Sequence, residues 1–395
     1  MNSTMSYLDN AASAPVRESS LRAFLEACKV VGNPDSVHQR GQAARAILDS
    51  AREDIAALLG CEPVEVIFTS GGTESVNLAV RGIFEARQMA APPQIGRSGI
   101  ISSPLEHQAV LASIELLRSS ESARVIELEP QEGIIGALQF ERALADHGDS
   151  LALASLMWVN NETGAITDIP AFAKAAAERG IPLHTDAVAA LGKTKIDFHA
   201  SGLAAMSICG HKLGAPVGIG ALILRRDTAL TAAVLRGGEQ ERGFRPGTTN
   251  HPLAAAFAVA VREALRDIEQ RQSLFRAWGE RIFREVKAVA SSAHLTIPDQ
   301  ERVASTLHIQ LPECDSAALV FALDLLGVSV SSGAACQAGV QGPSHVLLGM
   351  GYTPQQAARG LRISFGDSTT ENDVESLLRA FPVAYEQALA ASRYS

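Results

Sequence analysis

The sequence predicts an α/β protein in which a large domain, with a mostly parallel sheet between helices, is joined to a smaller α+β domain. Patterns typical of strands and helices alternate along most of the 395 residues, which favours a parallel sheet covered on both faces. Hydrophobic residues make up 47% of the chain, enough for a sizeable core. Beyond about residue 255 the alternation gives way to a long helical stretch and a mixed region. We therefore expect a large domain at residues 18–255 and a small domain formed by residues 1–17 and 256–395.

Short apolar runs bounded by turn residues predict the strands of the large domain. The clearest helix is Ser36–Leu59, where apolar residues recur at helical spacing, with Ser36 as its N-cap and Gly60 as its end. Residues 90–99 contain two prolines and two glycines and are interpreted as a surface loop. The predicted strands are Val64–Phe68, Gly99–Ser102, Leu151–Val159, Ile181–His184, Ala205–Ile208 and Gly220–Leu224.

The second region begins with a helical pattern from about Pro252 to Ala290, which we expect to join the two domains. Strands and helices then mix, as in an α+β domain. The predicted strands are Thr306–Leu311, Val328–Ser332 and Leu361–Phe365, and the predicted helices are Ser316–Leu326 and Glu371–Ala391.

Composition excludes several classes of protein. The formal charge of −9 gives no sign of a nucleic-acid footprint, and no apolar run reaches the roughly 18 residues of a membrane span. The first residues lack the basic and apolar regions of a signal peptide, so we expect a soluble, cytoplasmic protein. Five cysteines, an odd number without CxxC spacing, indicate neither a disulfide framework nor a zinc site: Cys28, Cys61, Cys209, Cys314 and Cys336.

The most informative motif is Gly210-His211-Lys212, which follows an apolar run and lies 26 residues after Asp186. A lysine that forms a Schiff base and an acid that keeps a pyridine nitrogen protonated are the minimum that a pyridoxal-phosphate (PLP) enzyme requires. Partial desolvation beside an apolar strand would favour the neutral amine of Lys212. The alternatives are a surface lysine and, for Asp186, a helix N-cap.

Three further motifs follow predicted strands. Ser70–Ser75, with Gly72 and Thr73, opens a helix and could bind phosphate through backbone N–H groups, or be an ordinary turn. His107 could stack on a flat cofactor and move protons, or cap a helix. Asn161 could donate to a phenolate oxygen, or form an Asx turn.

Two residues in the second region are candidates for reacting with a substrate or binding it. Cys336 lies in the glycine-rich segment 331–343, where an exposed thiol is a candidate nucleophile or an incidental loop cysteine. Arg362 lies among apolar residues and needs an anion, which is either a substrate carboxylate or a structural salt-bridge partner.

Taken in order, these motifs resemble the cysteine desulfurases of the NifS/IscS type, closest to actinobacterial members, among the fold-type I PLP enzymes of the class V aminotransferase group. The resemblance implies a seven-stranded sheet and PLP as cofactor, and it extends over essentially the whole chain. The motifs that carry it are Tyr7–Ala12, Gly32–Pro34, Thr69–Ser75, Val159–Glu162, Gly237–Gly243, Arg245–Thr248, Ser331–Cys336 and Arg362–Gly366.

The resemblance implies that Lys212 holds PLP and acts as the base at the substrate's α-carbon, that Asp186 pairs with the pyridinium nitrogen, and that His107 shuttles protons. Asn161 would lie near the phenolic oxygen. Thr248 would bind the phosphate of a second subunit, which implies a homodimer. The other implied phosphate ligands are Gly72, Thr73, Cys209 and His211.

The implied reaction converts L-cysteine to L-alanine. Arg362, with Asn33, would bind the substrate carboxylate, and Cys336 would take the sulfur as a persulfide for an acceptor protein that serves iron–sulfur cluster assembly or the thiolation of tRNA or DNA. Membrane and direct nucleic-acid partners, and a metal site, are not expected.

Two positions depart from the family pattern. Ala189 replaces the usual glutamine that bonds the phenolic oxygen, and Cys209 replaces a serine, so that a thiol stands where a stronger hydroxyl donor is usual. Each change could cost roughly 1 kcal/mol in cofactor affinity or tuning. Two alternatives stay open: a selenocysteine lyase or cysteine β-lyase of the same fold, and a non-catalytic sulfur carrier or assembly partner.

Overall fold

The computed structural model describes residues 5–90, 96–231, 234–333 and 342–392. None of the helices in these ranges combines the length and apolarity that crossing a bilayer requires. The helices are α1 Glu18–Cys28, α2 Gln39–Leu59, α3 Gly72–Ala90, α4 Gln108–Ser120, α5 Ala137–His147, α6 Ile169–Ala177, α7 Phe198–Ser201, α8 His251–Ala264, α9 Ile268–Val289, α10 Ser316–Leu325, α11 His345–Gly349, α12 Pro354–Ala357 and α13 Glu371–Ser392. The strands are β1 Ser6–Tyr7, β2 Val66–Thr69, β3 Gly99–Ser102, β4 Arg124–Glu127, β5 Leu151–Ser155, β6 Leu183–Asp186, β7 Ala205–Cys209, β8 Gly220–Leu224, β9 His294–Leu295, β10 Thr306–Gln310, β11 Val328–Ser329 and β12 Gly360–Ser364.

A seven-stranded sheet in the order β2-β8-β7-β6-β5-β3-β4 forms the centre of the molecule. Strands β7, β6, β5, β3 and β4 run parallel, while β8 is antiparallel to both β2 and β7. Residues of α3 and α4 share one apolar cluster with the sheet, and residues of α2, α5, α6 and α8 share another. The predicted α/β fold with a mostly parallel sheet of seven strands is therefore confirmed.

The sequence patterns place most strands within two or three residues, but some details were wrong. Strand β4 was missed because it lies at the sheet edge with exposed ends. Strand β5 ends at Ser155, four residues before the predicted end, although the N–H groups of Leu156 and Trp158 still donate to backbone oxygens of β6. His38, and not Ser36, caps α2: its Nδ1 accepts the N–H of Gly41 at 3.1 Å, while Gly60 ends the helix at φ +66 as predicted.

The predicted helix from Pro252 to Ala290 is two helices, α8 and α9, separated at Asp267, whose φ of +49 interrupts the helical hydrogen bonding. Beyond it, β12, β10 and β9 form an antiparallel sheet, and β1 pairs in parallel with β11. A third apolar cluster joins these strands to α9, α10 and α13, and includes Leu8 from the N-terminal segment. The domain limits at residues 17 and 255 stay a prediction.

A polar row crosses the middle of the central sheet. The Nδ1 of His184 lies 2.9 Å from the Ser155 hydroxyl and its Nε2 lies 2.9 Å from the Ser207 hydroxyl, so the ring joins β5, β6 and β7. Burial lowers the pKa of His184 to about 3, because the charged ring would lose its hydration. The ring is therefore neutral in the folded protein at neutral pH.

We predict an acid-dependent loss of stability that His184→Gln reduces. In the unfolded chain a histidine binds a proton below its ordinary pKa, whereas folded His184 does not until about pH 3. Folding stability should therefore fall as the pH drops from about 6.5 toward 3, by up to about 1.4 kcal/mol per pH unit for each such histidine.

Urea denaturation at several pH values between 7 and 4 would measure this slope. His308, whose pKa burial also lowers to about 3, permits an independent repeat in the three-stranded sheet. Parallel stability curves for wild type and His184→Gln would contradict the assignment of the slope to this residue.

Candidate active site

Two neighbouring parallel strands bring Asp186 and Lys212 to the same edge of the sheet. Asp186 ends β6 in register with Ser207 on β7, and Lys212 follows the end of β7 by three residues. The carboxyl ends of parallel strands form the usual ligand-binding edge of an α/β sheet. The amine of Lys212 has no hydrogen bond or ion pair within the described part of the chain, so it is available for covalent chemistry.

Asp186 is only 4% exposed and has a local as well as a possible chemical role. One carboxylate oxygen accepts the N–H of Val188 at 2.9 Å and stabilises the turn that continues to Leu191. No helix begins at this position, so Asp186 is not a helix N-cap. Its carboxylate instead caps the turn that follows β6. One oxygen atom of the carboxylate makes this bond, which leaves the other for a cationic partner.

His107 lies close to both residues. It is the N-cap of α4, where its Nδ1 accepts the N–H of Ala109 at 3.1 Å, so the hydrogen of the neutral ring is on Nε2. Burial lowers the pKa of His107; the negative charge of Asp186 opposes this shift, and Lys212 adds to it. The capping alternative is therefore correct, and the same neutral ring lies within the electrostatic reach of Asp186 and Lys212.

The N-terminus of α3 has the geometry of an anion site. Gly72 opens the helix, and a Cβ on it would lie 2.7 Å from the Val188 Cγ2 atom, so only glycine permits this close approach. Thr73 is exposed in the first turn, where backbone N–H groups lack helical partners. The neighbouring Glu74 is neutralised by Arg245, whose Nε lies 2.8 Å from its carboxylate.

Cys209 and His211 flank this helix terminus and Lys212. The Cβ of Cys209 lies 3.7 Å from the position that a Cβ on Gly72 would occupy, so the thiol borders the start of α3. Burial raises the pKa of Cys209 to about 11, which keeps the thiol neutral. Burial lowers the pKa of the half-buried His211, and Lys212 lowers it further, so this ring is also neutral near pH 7.

Asn161 has an unsatisfied side chain. Its Oδ1 is buried and has no hydrogen-bond partner. The Asx turn expected as an alternative is made by its neighbour: Asn160 Oδ1 accepts the N–H groups of Glu162 and Thr163, both at 2.9 Å. The side chain of Asn161 therefore has an unused acceptor, and its role as a donor to a phenolate oxygen stays a prediction.

Arg362 is 2% exposed and connects three segments of the chain. It donates to the Asp9 carboxylate at 2.7 Å and to the backbone oxygen of Asn161 at 2.9 Å, while its Nε has no partner. The salt bridge expected as an alternative is present. A role in binding a substrate carboxylate stays a prediction.

The remaining predicted residues occupy more exposed places. Thr248 is exposed, in a loop that Glu241 attaches to the body of the protein through Arg52, at 2.6 Å, and through the N–H of Phe68, at 2.9 Å. Asn33 is also exposed and accepts the N–H of Asp35 in its own turn at 2.9 Å, and its predicted contact with a substrate is untested. Cys336 lies outside the described residues.

Sequence reasoning missed four residues near the site. Glu106 is buried beside His107, and burial raises its pKa well above the ordinary value. Glu162 is buried with a raised pKa, and His345 lies 3.0 Å from the backbone oxygen of Glu106. Lys193 lies near Lys212. None stands at the end of an apolar strand, the signal that identified Asp186 and Lys212.

The residues present fit PLP. Lys212 would hold its aldehyde carbon, Asp186 its ring nitrogen, and the α3 terminus its phosphate. The buried, unpartnered Oδ1 of Asn161 is a feature that a bound group would explain. Ala189 is buried on the turn after Asp186 and offers no side-chain donor, and the effect of this residue on cofactor binding stays a prediction.

Comparison with known proteins agrees with this geometry. Residues 6–377 match the family described as Aminotransferase class-V. An IscS-like cysteine desulfurase from Mycobacterium tuberculosis is 41% identical over 390 residues, covering 98% of each chain. A solved NifS-like protein superimposes with a TM-score of 0.87 at 26% identity, covering 96% of this chain and 99% of the other.

A further solved structure, SspA in complex with cysteine, superimposes with a TM-score of 0.78 at 31% identity and covers 91% of this chain and 98% of that chain. The resemblance to NifS/IscS-type proteins is thereby confirmed, and with it PLP as the cofactor of the family. This chain belongs to the class V aminotransferase family of PLP-dependent enzymes.

Proposed function

We propose that this protein is a PLP-dependent cysteine desulfurase, which converts L-cysteine to L-alanine and transfers the sulfur to Cys336 as a persulfide. The observation that carries the proposal is the meeting of Asp186, Lys212 and His107 at one edge of the central sheet. The curated relative named an IscS-like cysteine desulfurase, which matches 98% of the chain, supports it. So does the SspA structure that contains cysteine.

PLP would supply an electron sink for the substrate's α-carbon once it is bound. The chain's own residues would move the protons and stabilise the charges. Lys212, whose amine has no other partner, would remove the α-proton, and the carboxylate of Asp186 would stabilise positive charge on a ring nitrogen. Neutral His107, whose Nδ1 caps α4, carries its hydrogen on Nε2 and would donate that hydrogen before it could accept another there.

The proposed sulfur transfer is balanced. The C–S bond of L-cysteine breaks as the Cys336 thiolate forms an S–S bond with the substrate sulfur, and the carbon fragment receives protons to become L-alanine. The substrate's sulfur is thus retained on the enzyme, and neither an external oxidant nor a reductant is required.

The described residues on either side of Cys336 support its placement near the substrate. Ser331 exchanges two backbone hydrogen bonds with Arg362, at 2.7 and 3.1 Å. Ser344 donates to the buried carboxyl of Glu162 at 2.5 Å, and a Cβ on Gly333 would lie 3.1 Å from the same group. Both flanks of the cysteine segment therefore meet at Glu162, next to the strand that carries Arg362.

We also propose partners for this protein. Thr248, exposed on an anchored loop, would reach the phosphate of a second subunit in a homodimer. A persulfide acceptor for iron–sulfur cluster assembly, or for tRNA or DNA thiolation, would collect the sulfur in the cytoplasm. Arg362 and Asn33 would hold the substrate carboxylate.

Lys212→Ala should abolish the visible absorbance that covalently held PLP gives the purified protein, apart from any cofactor that stays bound without a covalent link. Borohydride reduction followed by mass spectrometry should place the added cofactor mass on Lys212 in wild type. Lys195→Ala is the control, because that lysine is 80% exposed and paired with Glu269. Labelling of a different lysine in wild type would refute the assignment.

Cys336→Ser should lower sulfide and alanine production by about two orders of magnitude or more, because the acceptor of sulfur is lost. The spectral response of the protein to L-cysteine should remain, since binding does not need the thiol. Cys28→Ser, which removes an exposed thiol elsewhere, should retain full turnover. Full turnover by Cys336→Ser would instead favour a selenocysteine lyase or β-lyase.

Gly333→Ala should destabilise the protein more than Gly351→Ala. Both glycines have a φ of +88, so each substitution should cost about 1–2 kcal/mol of backbone strain. At Gly333 the new methyl would also approach Glu162 and His308 at 3.1 and 3.3 Å, whereas nothing lies within 4 Å of the corresponding position at Gly351.

The difference between the free energies of unfolding of the two variants, measured by urea denaturation, gives the energetic cost of the contact with Glu162. We expect an additional cost of about 1 kcal/mol in Gly333→Ala, together with reduced turnover. Equal destabilisation of the two variants would show that the close approach of the new methyl to Glu162 does not change the free energy of unfolding.

A further inference from the structure

Glu162 is a buried carboxyl to which the reaction proposed above gives no task. It is 2% exposed and directly follows Asn161, whose backbone oxygen accepts a hydrogen bond from Arg362 at 2.9 Å. The turn that contains it is fixed from within, because Asn160 Oδ1 accepts the N–H groups of Glu162 and Thr163, both at 2.9 Å. The carboxyl is therefore attached to a well-defined part of the backbone.

One oxygen of this carboxyl binds Ser344. The serine hydroxyl donates to Glu162 Oε2 at 2.5 Å and accepts the N–H of Leu347 at 3.1 Å, so its hydrogen is directed to the glutamate. Ser344 is buried as the N-cap of α11, and its own N–H donates to the backbone oxygen of Ala357 at 3.3 Å. The next residue, His345, places its Nδ1 3.9 Å from the other oxygen, Oε1. Glu162 thus joins the start of α11 to the turn after β5.

The same oxygen of Glu162 also borders Gly333. A Cβ on Gly333 would lie 3.1 Å from Glu162 Oε2 and 3.3 Å from His308 Nε2. The Gly333 N–H donates to Ser331 Oγ at 3.1 Å, and Ser331 exchanges two backbone hydrogen bonds with Arg362. The backbone at Gly333 is therefore held close to the carboxyl, in a place that a side chain would fill.

These two contacts involve residues on either side of Cys336 in the sequence. Gly333 precedes the cysteine by three residues, and Ser344 follows it by eight. Three residues of fully extended chain span at most about 11 Å, so the location of Gly333 restricts how far the nucleophile can be from it. Transfer between two atoms requires them to approach to about 3–3.5 Å, and a displacement of about 1 Å can slow a reaction about a hundredfold.

The protonation of the carboxyl is consistent with a hydrogen-bonding role. Burial raises the pKa of Glu162. The hydrogen bond from Ser344 and the charges of His345 and Arg362 oppose this shift without cancelling it. A neutral carboxyl keeps an acceptor oxygen, so it can hold the Ser344 hydroxyl without a paired cation.

We propose that Glu162 is a positioning residue for sulfur transfer: through Ser344 and Gly333 it fixes both ends of the segment that carries Cys336. This assignment rests on the proposed function. Glu162 acts through that segment and not on the reacting atoms. Its loss should therefore slow the formation of the persulfide without weakening the binding of the amino acid.

The test separates binding from sulfur transfer in the holoenzyme. Titration with L-alanine, followed by visible absorbance, gives a half-saturation concentration that does not depend on the thiol. A single turnover of L-cysteine, followed by mass spectrometry of the persulfide on Cys336, gives the rate of transfer. Glu162→Leu should lower this rate about tenfold or more and leave the half-saturation concentration within about twofold of wild type.

Two further variants examine the contact itself. Glu162→Gln keeps an acceptor oxygen for the Ser344 hydroxyl and should retain most of the transfer rate. Ser344→Ala removes the donor and should lower the rate by a factor similar to that of Glu162→Leu. Because both changes remove the same hydrogen bond, the double variant should be no more than about twofold slower than the slower single variant. Ser344→Ala also carries the test if Glu162→Leu fails to fold.

Glu65→Leu is the matched control for the loss of a buried carboxyl. Glu65 is 1% exposed and accepts the N–H of Arg226 at 2.9 Å, and it precedes β2, whereas α3 follows that strand. The substitution should lower the free energy of unfolding. The folded fraction of this variant should transfer sulfur at the wild-type rate.

The outcomes separate this inference from the proposed function. A wild-type holoenzyme that shows no spectral response to L-alanine, or that forms no persulfide on Cys336, would remove the proposed function itself. If wild type does both, an unchanged transfer rate in Glu162→Leu would overturn the role of Glu162. A half-saturation concentration that rises as the rate falls would also overturn it, and so would additive losses in the double variant or a loss in Glu162→Gln as large as that in Glu162→Leu.

Discussion

The buried guanidinium of Arg362 is the interaction on which the arrangement of the site depends. It joins β12 of the three-stranded sheet to Asp9 near the N-terminus and to the backbone of Asn161, which follows the central sheet. A buried arginine is costly unless its charge is paired and its hydrogens are bonded. Asp9 pairs its charge and the backbone oxygen of Asn161 accepts one of its hydrogens, although its Nε has no partner, so the guanidinium is held in place before any ligand arrives.

The distribution of charge in the site differs from that of the whole chain. The protein carries a formal charge of −9, yet the positive charges of Lys212, at the edge of the central sheet, and of Arg362, on β12 of the three-stranded sheet, both act on Lys193. Such a cluster is unfavourable alone and becomes favourable when anions bind. A site of this kind stores part of its binding energy as mutual repulsion, which an anionic cofactor and an anionic substrate relieve.

Local patterns were enough to predict the strands whose ends carry Asp186 and Lys212, since buried parallel strands are continuous apolar runs. The glycine-rich start of α3 was predictable because it directly follows the buried apolar run of β2. The burial of Lys193 was not, because a Gly-Lys-Thr-Lys sequence is typical of an exposed loop, and Arg362, whose charge acts on Lys193 in the fold, lies 169 residues later in the chain. The sequence did not predict strand β4 or the break at Asp267. An edge strand with exposed ends lacks a continuous apolar run, and a single residue in the left-handed conformation has no characteristic sequence pattern.

The attachment of the Thr248 loop bears on assembly. Glu241 holds this loop against Arg52 and β2 within a single chain, although Thr248 itself faces outward. An outward-facing contact that is already rigid loses little conformational freedom when it meets another surface. Two chains that met through this loop would therefore lose less conformational entropy than two chains that met through an unattached loop.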